Sequence, residues 1–150
     1  MQLIWKSTFT GNETRIFRGK VLAGLLKVSN WKDNAYGELD GHMLRFKTRG
    51  FWKRHTQILS IEGERELGRI EYNMWNGNAT IVYQDNEYQW KFGSWKRNKW
   101  TVTDSESVAH FTKKSLWKNQ GEIEYEYISS AIILIGLFVN TYFQRISASA

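Results

Sequence analysis

The segment Ile128–Phe143, ISSAIILIGLFVNTYF, decides the fold of this 150-residue chain. Its apolar residues are distributed all round a helix rather than along one stripe, and no charged residue occurs between Glu126 and Arg145. A helix of that kind is either buried in a protein core or spans a membrane. As a helix the segment is about 24 Å long, short of the roughly 30 Å thickness of a bilayer's hydrocarbon core.

Four polar residues in or beside this segment reduce its fitness for lipid: Ser129, Ser130, Asn140 and Thr141. Ser129 or Ser130 is a suitable N-cap. We therefore expect a helix over residues 128–145 at the centre of a barrel. A membrane tail anchor is the alternative.

The rest of the chain, residues 2–127, alternates between apolar and polar residues with the period of a β-strand. In Tyr88–Phe92, YQWKF, the aromatic side chains alternate with Gln89 and Lys91, which places them on opposite faces of a strand. The same period predicts that three further sets of side chains each lie on one face of a strand. They are Leu44 and Phe46; Ile70, Tyr72 and Met74; and Ile123, Tyr125 and Tyr127.

Turn signals separate these strands at short intervals, with Asp40-Gly41 as the strongest hairpin signal. Other predicted turns include Asn76-Gly77-Asn78, Asp85-Asn86, Arg97-Asn98, Asp104-Ser105 and Asn119-Gln120-Gly121. This spacing predicts roughly ten to twelve strands in one antiparallel meander and one domain. So many short strands favour a closed barrel or a sandwich, since both protect sheet edges.

Three features together resemble the tubby C-terminal-like superfamily, which includes the LURP-one-related proteins and the phospholipid scramblases. They are the strand-turn-strand run Gly68–Ile81, the strand Tyr88–Phe92, and the apolar helix directly after a strand. The resemblance implies a single tubby-like domain over residues 1–150, a mainly β, closed antiparallel barrel of about a dozen strands around a hydrophobic C-terminal helix. It also implies binding of anionic headgroups, because eukaryotic tubby proteins bind phosphoinositides through basic residues on the barrel.

Composition and motifs give little support for an enzyme. The chain has no cysteine, which removes thiolate metal sites and cysteine nucleophiles. His42, His55 and His110 show no metal-ligand spacing, and no serine-nucleophile or phosphate-loop motif is present. We predict no catalytic residue, no metal and no cofactor.

Basic residues are the most suggestive feature of a chain with net charge +6. The first candidate site, an anionic-headgroup site, lies between Asp40 and Glu62, where no acid occurs; it comprises Arg45, Lys47, Arg49, Lys53 and Arg54. The second basic patch lies between Glu87 and Asp104 and comprises Lys91, Lys96, Arg97 and Lys99. By contrast, Glu122, Glu124 and Glu126 are expected on a solvated outer face.

These patterns favour a non-enzymatic binding module that recognises anionic phospholipid headgroups, in the cytoplasm and peripheral at a membrane. The N-terminal sequence lacks the pattern of a secretory signal. One alternative is a binder of single-stranded nucleic acid that stacks bases on Trp90, Trp95 and Trp100. Another is a tail-anchored membrane protein with a cytoplasmic β-domain.

Overall fold

A computed structural model of the chain describes most of its residues. The described ranges are 1–29, 34–50, 54–63, 65–93, 96–115 and 118–149. Lys53 of the predicted headgroup site and Trp95 of the predicted base-stacking set lie outside these ranges.

Twelve antiparallel strands form one closed barrel, which is followed by a single helix. The strands are β1 (Gln2–Ser7), β2 (Glu13–Arg18), β3 (Val21–Val28), β4 (Asn34–Leu39), β5 (His42–Arg49), β6 (His55–Leu59), β7 (Glu66–Asn73), β8 (Asn78–Tyr83), β9 (Asn86–Phe92), β10 (Lys99–Thr103), β11 (Val108–Lys113) and β12 (Gln120–Tyr125), and the helix is α1 (Ser130–Ser149). Each strand pairs with its neighbours in sequence, and β1 pairs with β12, Leu3 lying opposite Ile123. This confirms the predicted fold class.

The helix α1 lies inside the barrel, as the all-round apolar pattern predicts. Every residue from 131 to 143 is buried. By length and composition α1 could also cross a membrane, but here the strands cover it on all sides. Large aromatic side chains fill the remaining space, and Phe46 of β5 stacks on Phe138 at 4.3 Å between ring centroids.

The structure shifts several predicted boundaries by a few residues. The helix spans 130–149 rather than 128–145, with Ser129 as its N-cap: the Ile132 backbone N–H donates to Ser129 Oγ at 3.4 Å. Strand β12 ends at Tyr125, and Tyr127 takes a positive φ of 58° and is exposed rather than facing the core.

Other sequence predictions were wrong in detail because turns and strands meet at residues other than those expected. Gln120 and Gly121, predicted in a turn, already belong to β12. Met74 follows the end of β7 and is half-exposed, so it does not continue the face of Ile70 and Tyr72. The turn between β8 and β9 uses Gln84 and Asp85, both with positive φ, while Asn86 already begins β9.

Closed antiparallel pairing gives the barrel two distinct ends. At the upper end, as we name it, each odd-numbered strand connects to the next strand and α1 ends. At the lower end each even-numbered strand connects onward and α1 begins.

Hydrogen bonds hold α1 at both ends of the barrel. At the lower end, Ser130 Oγ donates to Asp40 Oδ2 at 2.6 Å, and Arg18 Nη2 pairs with the same oxygen at 2.6 Å. At the upper end, Arg145 Nη1 donates to the Ser29 carbonyl oxygen at 2.7 Å, and Asn119 Nδ2 donates to Gln144 Oε1 at 3.2 Å. The helix is therefore fixed along the barrel axis.

We expect a chain that ends at Tyr127 to be unable to fold, because its apolar inner face would enclose no helix. Circular dichroism and tryptophan emission of the truncated protein should show an unfolded or aggregated chain. A stable, cooperatively unfolding barrel would instead support the tail-anchor alternative.

The close approach of α1 to β4 gives a second expectation. An alanine Cβ at Gly37 would lie 2.9 Å from a methyl carbon of Leu134 and 3.1 Å from the backbone oxygen of Leu25. Gly37→Ala should therefore lower the free energy of unfolding by about 1–3 kcal/mol, the usual cost of overpacking a core.

Gly93→Ala is the matched control, because the nearest atom to its added Cβ would be 3.7 Å away. Urea unfolding should show little change for Gly93→Ala. Equal effects of the two substitutions would contradict the close-packing explanation.

Candidate functional site

The basic residues of β5 lie on the outer wall of the barrel, as their spacing predicts. Arg45, Lys47 and Arg49 are exposed, whereas the alternating Leu44 and Phe46 are buried in the core. Strand alternation thus separates a charged outer row from an apolar inner row.

The side chains of this row diverge toward different ends of the barrel. Arg45 Nη1 donates to the Ile61 carbonyl oxygen at 3.4 Å, in the lower-end connection between β6 and β7. Arg49 Nε donates to Gln57 Oε1 at 2.6 Å, and Arg54 lies in the upper-end connection before β6. The predicted site is therefore divided, with Arg49 and Arg54 near the upper end.

The second basic patch also reaches the upper end. Lys91 is exposed on β9, Lys96 and Arg97 lie in the connection from β9 to β10, and Lys99 begins β10. The guanidinium carbon of Arg97 lies 5.0 Å from the centre of the Phe92 ring. Strands β6, β7 and β8 separate the two patches along the wall, so the upper end is where they share a surface.

The described upper-end connections and the helix terminus beside them carry positive charge only. Their basic residues are Arg54, Lys96, Arg97, Lys114, Lys118 and Arg145, and none of their described residues is Asp or Glu. In sequence, the same connections also contain Lys32, Asp33 and Lys53, which lie outside the described residues.

The lower end carries the opposite charge. The acids of its described connections are Asp40, Glu62, Asp85, Asp104, Glu106 and Glu126, against the basic Lys20 and Arg65. Asp104 accepts hydrogen bonds from the backbone N–H groups of Glu106 at 2.8 Å and Ser107 at 2.7 Å. These bonds, led by the one from Glu106, lower the pKa of Asp104 below its usual range.

The direction of α1 agrees with this separation of charge. A helix carries partial positive charge at its first turn and partial negative charge at its last. Here α1 begins at the acidic lower end, where Ser130 bonds Asp40, and ends at the upper end, whose basic residues come from the strand connections and from Arg145 rather than from the last turn of the helix. The barrel therefore has a charge gradient along its axis.

A cleft of about 950 Å³ opens at the upper end between the end of α1 and the β6–β7 wall. Arg54 and Arg69 supply its positive charge, and Trp75, Tyr142 and Ile146 supply apolar surface. Glu71 lies beside Arg69 and pairs with it at 3.2 Å, which partly offsets that charge. The cleft can accommodate a small anionic group beside aromatic surface.

A chain of hydroxyl groups fixes the wall of this cleft. Thr56 Oγ1 lies 2.8 Å from Thr48 Oγ1 and 2.7 Å from the Tyr72 hydroxyl, within hydrogen-bond distance of both. The Tyr72 ring stacks on Tyr142 of α1 at 3.9 Å between centroids. Burial raises the pKa of Tyr72 well above its ordinary value of 10.0.

The upper end also carries exposed aromatic residues that strand periodicity did not identify as site residues. Trp75, between β7 and β8, is 97% exposed, and Phe9, between β1 and β2, is fully exposed. Four further tryptophans occur in the sequence of other upper-end connections but lie outside the described residues: Trp31, Trp52, Trp95 and Trp117. For Phe9 and Trp75 the signal in the sequence is that each lies in a turn that follows an odd-numbered strand.

Two of the tryptophans considered for base stacking are unavailable for it. Trp90 is fully buried, and its indole N–H donates to the Gly136 carbonyl oxygen at 3.0 Å. Trp100 is 1% exposed and stacks on Phe111 at 5.2 Å. Both belong to the core around α1.

Within the described ranges, no group of three or more His, Asp or Glu side chains is placed to hold a metal ion. The three acids of the β12 region lie as expected: Glu124 and Glu126 are exposed, and Glu122 is partly exposed and pairs with Lys114 at 3.5 Å.

Comparisons with protein-family models, with curated proteins and with solved structures gave no match to this chain. The resemblance to the tubby superfamily therefore stays a sequence-based prediction.

The hydroxyl of the half-buried Tyr72 gives a pH-dependent expectation. With its pKa raised in the folded protein, Tyr72 keeps a proton that the unfolded chain releases above about pH 10. Its contribution to stability is therefore complete below pH 10 and is lost as the pH rises toward its folded pKa.

Tyr72→Phe should cost about 1 kcal/mol at neutral pH through the lost hydrogen bond, and should flatten the alkaline decline. Urea unfolding at neutral and alkaline pH measures both effects. Tyr36→Phe, at an exposed outer-wall position, should keep the wild-type pH dependence. An unchanged decline in Tyr72→Phe would contradict the assignment.

Proposed function

We propose that this protein is a non-enzymatic binding module that attaches to anionic phospholipid surfaces through the upper end of its barrel. The observation that carries the proposal is the separation of charge. The described upper-end connections contain basic residues without acids, and the lower end is predominantly acidic.

This arrangement suits attraction to a charged plane rather than to a single counter-ion. A basic residue near an anionic membrane surface contributes about 1 kcal/mol, and the effect fades within a Debye length. Lys96, Arg97 and Lys118 come from neighbouring connections of the same end, so they can approach one surface together. The acidic lower end would be repelled, which favours one orientation.

The filled interior supports recognition at the surface. Because α1 occupies the barrel axis, the described residues enclose no large axial cavity of the kind that holds ligands in other closed barrels. The upper-end cleft beside Arg54 and Trp75 is open to solvent-borne groups and is large enough for a lipid headgroup. We place the protein at the cytoplasmic face of a membrane, as a peripheral protein.

Single-stranded nucleic acid is the second candidate ligand, since it too carries regular negative charge. The burial of Trp90 and Trp100 removes two of the three stacking positions on which that hypothesis depended. The tail-anchor hypothesis is weakened in the same way by the burial of α1.

Co-sedimentation with phosphatidylcholine vesicles, with and without phosphatidylserine, tests the proposal. We expect much stronger binding to the anionic vesicles than to the neutral ones, and this difference should decrease as salt increases. The double variant Lys99→Gln/Lys118→Gln, which changes two exposed upper-end residues, should lower the partition coefficient by about 10- to 30-fold.

The control Lys20→Gln/Arg65→Gln removes the same charge from the lower end and should bind almost as the wild type does. Equal loss in the two variants would indicate a response to net charge alone and would contradict a role for the upper end. Salt-insensitive binding, or binding to oligonucleotides but not to vesicles, would overturn the proposal.

A further inference from the structure

Exposed apolar side chains lie at the same end as the basic residues. Phe9 and Trp75 are almost completely exposed, and Met74 beside Trp75 is 48% exposed. Water contact of such large apolar groups is unfavourable unless another surface covers them. Their position at the tips of upper-end connections makes them the first groups to meet a surface approached by that end.

These two apolar sites lie on opposite sides of the barrel. Phe9 belongs to the β1–β2 connection and Trp75 to the β7–β8 connection, which are separated by half of the closed strand order. Two anchors across one end, rather than side by side, would resist tilting of the barrel axis. Together with the basic connections between them, the two sites define a plane of contact.

Basic residues are placed between the two anchors around the rim. Going round the barrel from Phe9 to Trp75, the first upper-end connection is β11–β12, which carries Lys114 and Lys118. The next is β9–β10, which carries Lys96 and Arg97. Aromatic side chains mixed with lysine and arginine are typical of the interfacial layer of a bilayer, where rings insert among headgroups and cations face the phosphates. This charge complementarity selects an anionic bilayer as the occupant.

Other exposed apolar residues lack this setting. Tyr127, 93% exposed, lies at the lower end beside Glu126. The outer-wall residues Leu22 and Met43 line a shallow hollow with Glu38. Among the described residues, only the upper end combines exposed apolar side chains at its turns with connections that carry basic residues and no acids.

We propose that the upper end docks on an anionic bilayer with Phe9 and Trp75 inserted at the boundary between headgroups and acyl chains. The barrel then stands on its upper end, with the C-terminal turn of α1 facing the lipid and the acidic end facing away. This inference rests on the proposed function and adds to it a fixed orientation and an anchoring contribution that salt does not remove.

The absence of cysteine allows a direct test. Single variants Phe9→Cys, Trp75→Cys and Ser105→Cys are each labelled with an environment-sensitive NBD probe and mixed with phosphatidylserine-containing vesicles. We expect increased, blue-shifted emission at positions 9 and 75, and unchanged emission at the exposed lower-end position 105.

A second pair of variants measures the anchoring itself. Phe9→Ser/Trp75→Ser should lower the vesicle partition coefficient by at least about tenfold at high salt, where charge is screened and apolar insertion remains. Tyr127→Ser, at a comparably exposed aromatic of the lower end, should leave the partition coefficient unchanged.

The outcomes separate this inference from the proposed function. Salt-dependent sedimentation with no spectral change at positions 9 and 75 would overturn insertion while leaving anionic-surface binding in place. An emission change at position 105 comparable to those at 9 and 75 would overturn the orientation. No sedimentation with anionic vesicles, or binding to oligonucleotides instead, would overturn both.

Discussion

The structure depends on one constraint: a helix that is apolar on every side must be covered on every side. Residues 131–143 of α1 have no polar face to present to water. A single sheet packed on one side would leave half of that surface exposed, whereas a closed sheet covers all of it. Closure through β1 and β12 also removes the unpaired sheet edges that would otherwise attract other strands.

Closure then determines how the surface is divided. In an antiparallel barrel the connections alternate between the two ends, so every second turn of the sequence meets at one surface. Basic residues far apart in the chain, such as Arg54 and Lys118, share the upper end for this reason. The core requirement and the surface charge pattern are thus linked through the order of the strands.

Much of the fold could be predicted from local patterns, because alternation and turn residues are local properties. The row Arg45, Lys47 and Arg49 lies outward as its period requires, and Asp40-Gly41 forms the expected turn. Strand limits were less predictable: Tyr127 continues the sequence alternation, but a positive φ ends the extended backbone first. Its exposure therefore could not be deduced from periodicity.

The site was predictable in composition but not in arrangement. The alternation along β5 places Arg45 and Arg49 on the same outer face, yet their guanidinium groups bond to different partners toward opposite ends of the barrel. Conversely, Trp75 carries no strand signal, and its importance follows only from the turn in which it lies. Side-chain direction and the grouping of distant turns depend on tertiary structure, which no single window of sequence contains.

The position of α1 after all twelve strands has a consequence for how the protein is made. During synthesis the strands leave the ribosome before the segment that fills them, and the first strand must wait for the twelfth, since Gln2 pairs with Glu124. The apolar inner faces therefore spend time uncovered, a state in which chains associate wrongly. Such long-range pairing also folds slowly, so the inner faces stay uncovered until the helix has been synthesised and packs against them.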